Sequence, residues 1–261
     1  MSRPAVIRAL RELGAALLDF IYPAHCSLCQ APLSAEERVV CEGCWRKIEV
    51  VTGPHCAACG SPSEDSVRTC GHCEKRPQRY DRARILSPFD ETLQGLIHQL
   101  KYRGKRSVGH RLGTMLGQLM AADGGEGGWE LLVPVPLHKS RKKERGYNQS
   151  AILAHAMAEQ MGIEVRTDLL VRKRRTATQT KLSAQERARN VAGAFGVPHP
   201  EWVRGRTILL VDDVWTTGAT VNACTEVLLN AGARRVSLAA LTHPYSDDTG
   251  MAAGSGSDLK R

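Results

Sequence analysis

Four CxxC pairs, Cys26/Cys29, Cys41/Cys44, Cys56/Cys59 and Cys70/Cys73, hold eight of the nine cysteines of this 261-residue chain between positions 26 and 73. A two-residue gap lets both thiolates of one tight turn reach the same ion, and two such pairs complete a tetrahedral four-sulfur zinc site. Four pairs therefore supply two sites. The gaps between successive pairs are 11, 11 and 10 residues, so each consecutive couple closes a loop of ribbon size. Sequential pairing, 26/29 with 41/44 and 56/59 with 70/73, is the first expectation. Interleaving, with the first pair joining the third, fits the spacing as well. A stretch of this length, rich in turn formers such as Gly43, Gly53-Pro54, Gly60 and Gly71, buries little core and needs metal to fold. Closed sites of this kind are structural, because no coordination position is left for chemistry. His25, His55 and His72 stand beside the knuckles and read as bystanders.

A disulfide framework would need an oxidising compartment. The opening apolar run, Ala15 to Ile21, is too short and too interrupted to span a bilayer, and no small-residue cleavage site follows it. The reading is a cytoplasmic protein without a membrane span. Val6, Leu10, Leu13, Leu17 and Phe20 recur at helical spacing, which predicts an amphipathic helix over 1–21. The ribbon module follows over 22–76, and a small polar segment at 246–261 reads as a disordered tail.

Between them, 80–245 has the pattern of an α/β domain with a parallel sheet. An apolar strand at Ala83–Leu86 leads to helices over 91–102 and 107–121, then a glycine-rich loop at 123–128. Leu131 to Pro136 reads as a buried strand, 148–161 as a helix closed by Gly162, and a further strand falls near 168–172. Thr207–Val211, a helix over 218–230 ended by Gly232, and Val236–Leu241 form a βαβ unit. Cys224, alone in that helix, reads as a small core residue.

The run Val211-Asp212-Asp213-Val214-Trp215-Thr216-Thr217-Gly218-Ala219-Thr220 places two carboxylates at the carboxyl end of a buried strand and a hydroxyl-rich turn at a helix start. Adjacent carboxylates accept hydrogen bonds from vicinal sugar hydroxyls. The free N–H groups of the turn and the helix dipole hold a phosphate, and Gly218 permits close approach. A ribose 5-phosphate suits this arrangement. The net charge of +9 agrees with an anionic ligand but does not separate small phosphates from nucleic acid.

These ten residues resemble the phosphoribosyl pyrophosphate (PRPP) signature of type I phosphoribosyltransferases. More narrowly, the chain resembles the ComF family (ComFC or GntX-type), in which a double zinc ribbon precedes such a domain. Three other segments carry the likeness: Leu100-Lys101-Tyr102-Arg103-Gly104; Val133 through Arg145, Gly146, Tyr147, Asn148 and Gln149; and Arg175-Thr176 through Gln179 to Arg187, Asn190 and Val191. The resemblance implies a pyrophosphate loop containing Lys139, Arg141, Arg145, Gly146, Asn148 and Gln149. It also implies a flexible closing loop containing Arg175, Thr176, Gln179, Arg187 and Asn190. Asp212 and Asp213 would hold ribose, and Thr216, Thr217, Gly218, Ala219 and Thr220 the 5-phosphate. Zinc would be structural, at two sites, and magnesium would arrive with PRPP. Trp215 fills a position that the family leaves variable.

Two functions follow from the resemblance. One is transfer of phosphoribose from PRPP to a nitrogenous acceptor, for which no general base and no base-recognition signature stand out. The other is handling of single-stranded DNA together with competence proteins in natural transformation. Strand binding normally uses stacking aromatics, and aromatic residues make up 5% of the chain, although Trp45, Tyr102, Tyr147 and Trp215 lie near basic or cysteine-rich segments.

Overall fold

The computed structural model describes residues 24–123, 128–174 and 184–244. The helix expected over 1–21, the tail at 246–261, most of the 123–128 loop, and Arg175, Thr176 and Gln179 lie outside the described residues. The chain divides into two compact units, Met1–Ile48 and Glu49–Arg261.

In the first unit, Cys26 and Cys29 lie on a knuckle stitched by a His25–Pro32 bridge, and Cys41 leads into a short helix, α1 (Glu42–Trp45). The second unit opens by repeating the device. A His55–Pro62 bridge shapes the Cys56/Cys59 knuckle, and Cys70 leads into α2 (Gly71–Lys75). The repeat extends to hydrogen bonds: Cys41 N–H donates to Cys26 Sγ and Cys70 N–H to Cys56 Sγ. After each second cysteine the chain turns left-handed, at Gln30 (φ 61°) and Gly60 (φ 74°). A Cβ at Gly60 would lie 2.7 Å from the Ile85 nitrogen, so this knuckle rests directly on strand backbone.

That backbone belongs to β1 (Ala83–Ile85), the edge of a five-stranded parallel sheet with β2 (Leu131–Pro134), β3 (Glu164–Val165), β6 (Thr207–Val214) and β7 (Arg235–Thr242), in the order β1-β7-β6-β2-β3. The strands of the 207–242 βαβ unit are buried almost throughout, as expected where helices cover both faces. Around the sheet lie α3 (Glu91–Tyr102), α4 (Arg106–Ala122), α5 (Lys139–Arg145), α6 (Gln149–Met161), α7 (Ala184–Val191) and α8 (Ala219–Asn230). The strand expected near 168–172 forms as β4 (Val171–Arg172), but it pairs antiparallel with β5 (Phe195–Gly196) in a separate two-stranded sheet. A two-residue strand gives too weak a pattern to reveal its partner.

From β2 the chain moves outward to β3, and from β6 it moves the other way to β7. The order therefore reverses between β2 and β6, and α/β folds bind their ligands beyond the carboxyl ends of the strands at such a switch point.

Glycines set how α4 packs. Gly109, Gly113 and Gly117 recur every four residues, and a Cβ at Gly113 would stand 2.7 Å from the Leu153 carbonyl and 2.8 Å from Ala156 Cβ on α6. The two backbones touch with no space for a methyl. Gly113→Leu is expected to lower stability by about 3 kcal/mol, the upper range for overpacking a core. Urea unfolding measures it, and a midpoint equal to the wild-type value would contradict this packing.

Candidate functional site

Asp212 and Asp213 stand near the carboxyl end of β6, 8% and 4% exposed. Asp212 Oδ1 accepts from the Ser150 hydroxyl (3.0 Å) and from the Asp213 N–H (2.9 Å). Asp213 Oδ1 accepts from the Val214 N–H (2.9 Å), while Oδ2 pairs with Lys101 Nζ at 2.5 Å. Burial first, and then the neighbouring Asp213 charge, push Asp212 up to about 7; Lys101 and the hydrogen bonds pull it down.

Between the ordinary value of 3.8 and about 7 the folded protein holds a proton on Asp212 that the unfolded chain has lost, so stability from this group falls as pH rises through that window. Denaturant titrations at pH 5 and pH 8 are expected to differ through this residue by up to roughly 3 kcal/mol, because only the stretch from pH 5 to about 7 lies inside that window, at about 1.4 kcal/mol per pH unit. Asp212→Asn should remove that component. An unchanged pH dependence in the variant would contradict the assignment.

Beyond β6 the chain passes Trp215, Thr216 and Thr217 and enters α8 at Gly218, whose φ of 76° is left-handed. A Cβ at Gly218 would also collide with Gln78 Oε1 and come within 3.0 Å of Trp215 Nε1. The left-handed φ is what calls for glycine there, since the Gln78 side chain could turn aside. The Thr217 hydroxyl is buried without a hydrogen-bond partner, and the first N–H groups of α8 follow it. A buried hydroxyl beside a helix N-terminus is equipped to receive an anion. Trp215, 2% exposed, is not at the mouth of this turn. It packs edge-on to Tyr80 (6.0 Å) and against the His243 ring (3.8 Å), and His243 Nδ1 bonds its carbonyl. Burial holds His243 down to about 4, so it is neutral at physiological pH.

Two further segments follow β2 and β4. Asn148 caps α6 by accepting from the Ser150 N–H, and its amide donates to the Val135 carbonyl at 3.0 Å. The chain between these points forms α5, a seven-residue helix carrying five cations, Lys139, Arg141, Lys142, Lys143 and Arg145, with no buried residue. Gly146 ends it with φ 81°. Arg145 donates to Gln149 Oε1 (2.5 Å) and lies over the Tyr102 ring (5.5 Å). Tyr147 is buried, its hydroxyl bonded to the Leu100 carbonyl and its ring covered by Arg106 (4.7 Å). Arg172 on β4 lies over Phe195 (5.3 Å), and burial, only partly offset by the Cys224 and Asp212 groups, lowers its hold on its proton.

The structure thus brings Lys101, Asp212 and Asp213 into one hydrogen-bonded group and sets Thr216, Thr217, Gly218, Ala219 and Thr220 directly after it. Lys139, Arg141, Arg145, Gly146, Asn148 and Gln149 follow the neighbouring strand, with Tyr102 beside Arg145. Of the expected closing loop, Arg187 and Asn190 lie on α7, and the Asn190 carbonyl accepts from Arg174 at 3.0 Å. Ser150, Gln78 and Asn222 were not legible as site residues in the sequence. Nothing in their local pattern marks them, and they matter through partners 62 to 144 residues away.

Eight cysteines form two clusters, Cys26/Cys29/Cys41/Cys44 and Cys56/Cys59/Cys70/Cys73, with the Sγ atoms of each within 4.8 Å of one another. The pairing is sequential. Sγ separations of 3.8 Å (Cys26–Cys44), 3.6 Å (Cys29–Cys41) and 3.9 Å (Cys59–Cys70) match the roughly 3.8 Å edge of a tetrahedron with about 2.3 Å zinc–sulfur bonds. These are structural zinc sites of four cysteines each, and no histidine joins either cluster among the described residues.

A parallel sheet with acidic residues at its switch point and a phosphate-type turn, preceded by paired four-cysteine ribbons, defines a zinc-ribbon protein of the phosphoribosyltransferase fold. The chain matches the double zinc ribbon domain over residues 17–74 and the phosphoribosyl transferase domain over 148–249. It is 34% identical over 217 residues to the DNA utilization protein YhgH of Salmonella typhimurium, covering 82% of this chain and 94% of that protein. It is 30% identical to competence protein F of Haemophilus influenzae (81% and 93% covered) and 24% identical to competence protein ComFC of Bacillus subtilis (81% and 91%). The chain belongs to the ComF family that these relatives represent. Among the described residues no helix is long and apolar enough to cross a membrane.

Proposed function

We propose that the domain over 80–245 binds PRPP with magnesium at the carboxyl ends of β2 and β6 and transfers its phosphoribosyl group to a nitrogenous acceptor. The observation that carries this reading is the buried Asp212–Asp213 pair running into the Gly218 turn, where the Thr217 hydroxyl has no partner among the described residues. Asp212 and Asp213 accept hydrogen bonds from the two ribose hydroxyls, with Ser150 and Lys101 fixing their orientation. Residues 216–220 hold the 5-phosphate through backbone N–H groups and threonine hydroxyls. Arg141, Arg145 and Lys139 face the diphosphate, whose charge grows as the bond to C1 breaks and the acceptor nitrogen bonds there. Magnesium, bound to the PRPP phosphates, supplies charge neutralisation of that leaving group. The residues of 172–190, including Arg175, Thr176, Gln179, Arg187 and Asn190, close over the bound substrate.

The test is PRPP consumption by the purified protein against a panel of bases, amines and nucleic acids. Acceptor-dependent release of pyrophosphate is the expected result. No turnover, and no PRPP binding by calorimetry, would remove the enzymatic reading.

A second reading places the protein in the cytoplasm on DNA taken up from outside, without turnover and with competence proteins as partners. The names of the relatives point that way, and one surface favours it. Tyr102 is 64% exposed, beside His98 (5.1 Å) and under Arg145, next to the cations of α5. An exposed ring with an arginine above it, drawn from a helix of five cations, is the chemistry of a single-strand stacking platform. Tyr102→Ala is expected to weaken single-strand binding at low salt about tenfold. Wild-type affinity should fall steeply with salt, and indifference to salt would exclude this reading.

A further inference from the structure

The second zinc ribbon and the phosphate turn belong to one unit and one core. Cys56, Cys59 and Cys73 are buried together with Tyr80, Ile85, Trp215 and Val221. A continuous hydrogen-bond chain also joins them. The Cys73 carbonyl accepts from the Arg76 N–H (3.1 Å), and the Arg76 carbonyl accepts from the Gln78 side-chain amide (2.7 Å). Gln78 Oε1 then accepts from the Asn222 amide (2.9 Å), and the Asn222 N–H donates to the Gly218 carbonyl (2.7 Å). Asn222 Oδ1 accepts in turn from the Arg79 N–H at 3.0 Å, so its side chain is held at both ends by the segment leaving the ribbon. Gln78 Oε1 also rests against Gly218, in the space a Cβ would need.

We propose that Gln78 and Asn222 are positioning residues that clamp the phosphate turn to the second zinc ribbon, so that this ribbon, and not the turn alone, sets affinity for the ligand's 5-phosphate. The proposal rests on the PRPP reading for the identity of that ligand. The clamp itself rests on the contacts above. The turn at 215–218 carries an unpartnered Thr217 hydroxyl and a left-handed glycine, and its backbone donors bind an anion well only when they are held in place beforehand. Ordering a loose turn at the moment of binding costs backbone entropy at every residue it fixes. Two amides anchored to a metal-braced knuckle supply the fixed side of that turn. Residues 76–79 thereby become part of the apparatus that positions the turn.

The experiment pairs two readouts on Gln78→Ala, Asn222→Ala and the double variant: amide hydrogen exchange over residues 215–222 in the ligand-free protein, and PRPP–magnesium affinity by calorimetry. The expected result is faster exchange in that segment, and about tenfold weaker binding for each single variant, the effect of losing roughly 1.4 kcal/mol of hydrogen bonding. The double variant should be no weaker than the worse single one, because both break the same clamp. The reciprocal exchange Gln78→Asn with Asn222→Gln, which restores two amides of the same combined reach, should recover most of the affinity. Zinc content measured on the same samples should stay at the wild-type level. Unchanged exchange over 215–222, or affinities within twofold of wild type, would overturn the clamp. If the wild type binds no PRPP while exchange rises in the variants, the ligand assignment fails and the clamp stands.

Discussion

Replacing Asp212 and Asp213 together by asparagine is expected to abolish measurable PRPP–magnesium binding while the protein stays folded. Both side chains are buried, so hydrogen bonds that they accept from ribose hydroxyls form out of water, where a charged acceptor contributes about 1.5–3 kcal/mol each. Losing two amounts to roughly 3–6 kcal/mol, or about 10²–10⁴ in affinity. Folding is expected to tolerate the change. Asparagine keeps the Oδ1 acceptor used by Ser150 and by the Asp213 N–H, and it removes the charge that burial makes costly on Asp212. The opposing cost falls on Lys101, which loses its partner but keeps 20% side-chain exposure and so retains some water. Calorimetry on a variant with wild-type circular dichroism decides the matter. Retention of affinity within tenfold would mean that the carboxylates do not hold the ligand. Ligand binding is also expected to strengthen as pH rises through about 7, because Asp212 must be ionised to accept both hydroxyls, and Asp212→Asn should flatten that trend.

The second large effect concerns the metal. Cys59→Ser is expected to lower the unfolding temperature of the larger unit by about 10 °C or more and to reduce bound zinc from two ions per chain to one. Structural zinc contributes roughly 10–16 kcal/mol to small ribbon-type modules. The second ribbon packs its cysteines into the same core as β1, β6 and α8, so part of that free energy supports the α/β fold. If only about a third is transmitted, some 4 kcal/mol, a unit of this size shifts by roughly 2–4 °C per kcal/mol. Scanning calorimetry together with metal analysis measures both quantities. Loss of one zinc with no change in unfolding temperature would show that the ribbon is energetically separate from the domain it rests on.

Much of this was legible in the sequence. The two-residue cysteine gaps specify metal ligands because turn geometry alone brings two thiolates to one ion. The run from Val211 to Thr220 specifies a strand, a carboxylate pair and a helix entry because each residue type there has few other uses. Helix 91–102 formed over the expected residues and helix 148–161 within one residue of them, with Asp90 and Asn148 as caps, since periodicity and caps are local signals. Less visible was α5, whose seven polar and charged residues carry no apolar stripe. The interleaved zinc pairing could be set aside only once the Sγ atoms were placed.

What the sequence determined by itself is therefore chemistry encoded within a few residues: two four-cysteine metal sites, an acidic strand end, a threonine- and glycine-rich turn and the elements that carry them. Partnership over long distances was decided by the tertiary structure. Arg84 lies within an apolar strand run, and only the fold shows it buried and held by both Asp123 oxygens (2.6 and 2.9 Å). The bare face of α4 acquires meaning from α6 pressed against Gly113, and Ser150 from Asp212. The two ribbons read as one module along the chain, yet the second shares its core with the phosphoribosyltransferase-type domain, and Gln78 just beyond it accepts from the Asn222 amide on α8. Local pattern determines which backbone hydrogen bonds a segment makes with itself. Which side chains meet across the core depends on close packing of the whole chain, and no stretch of sequence records that by itself.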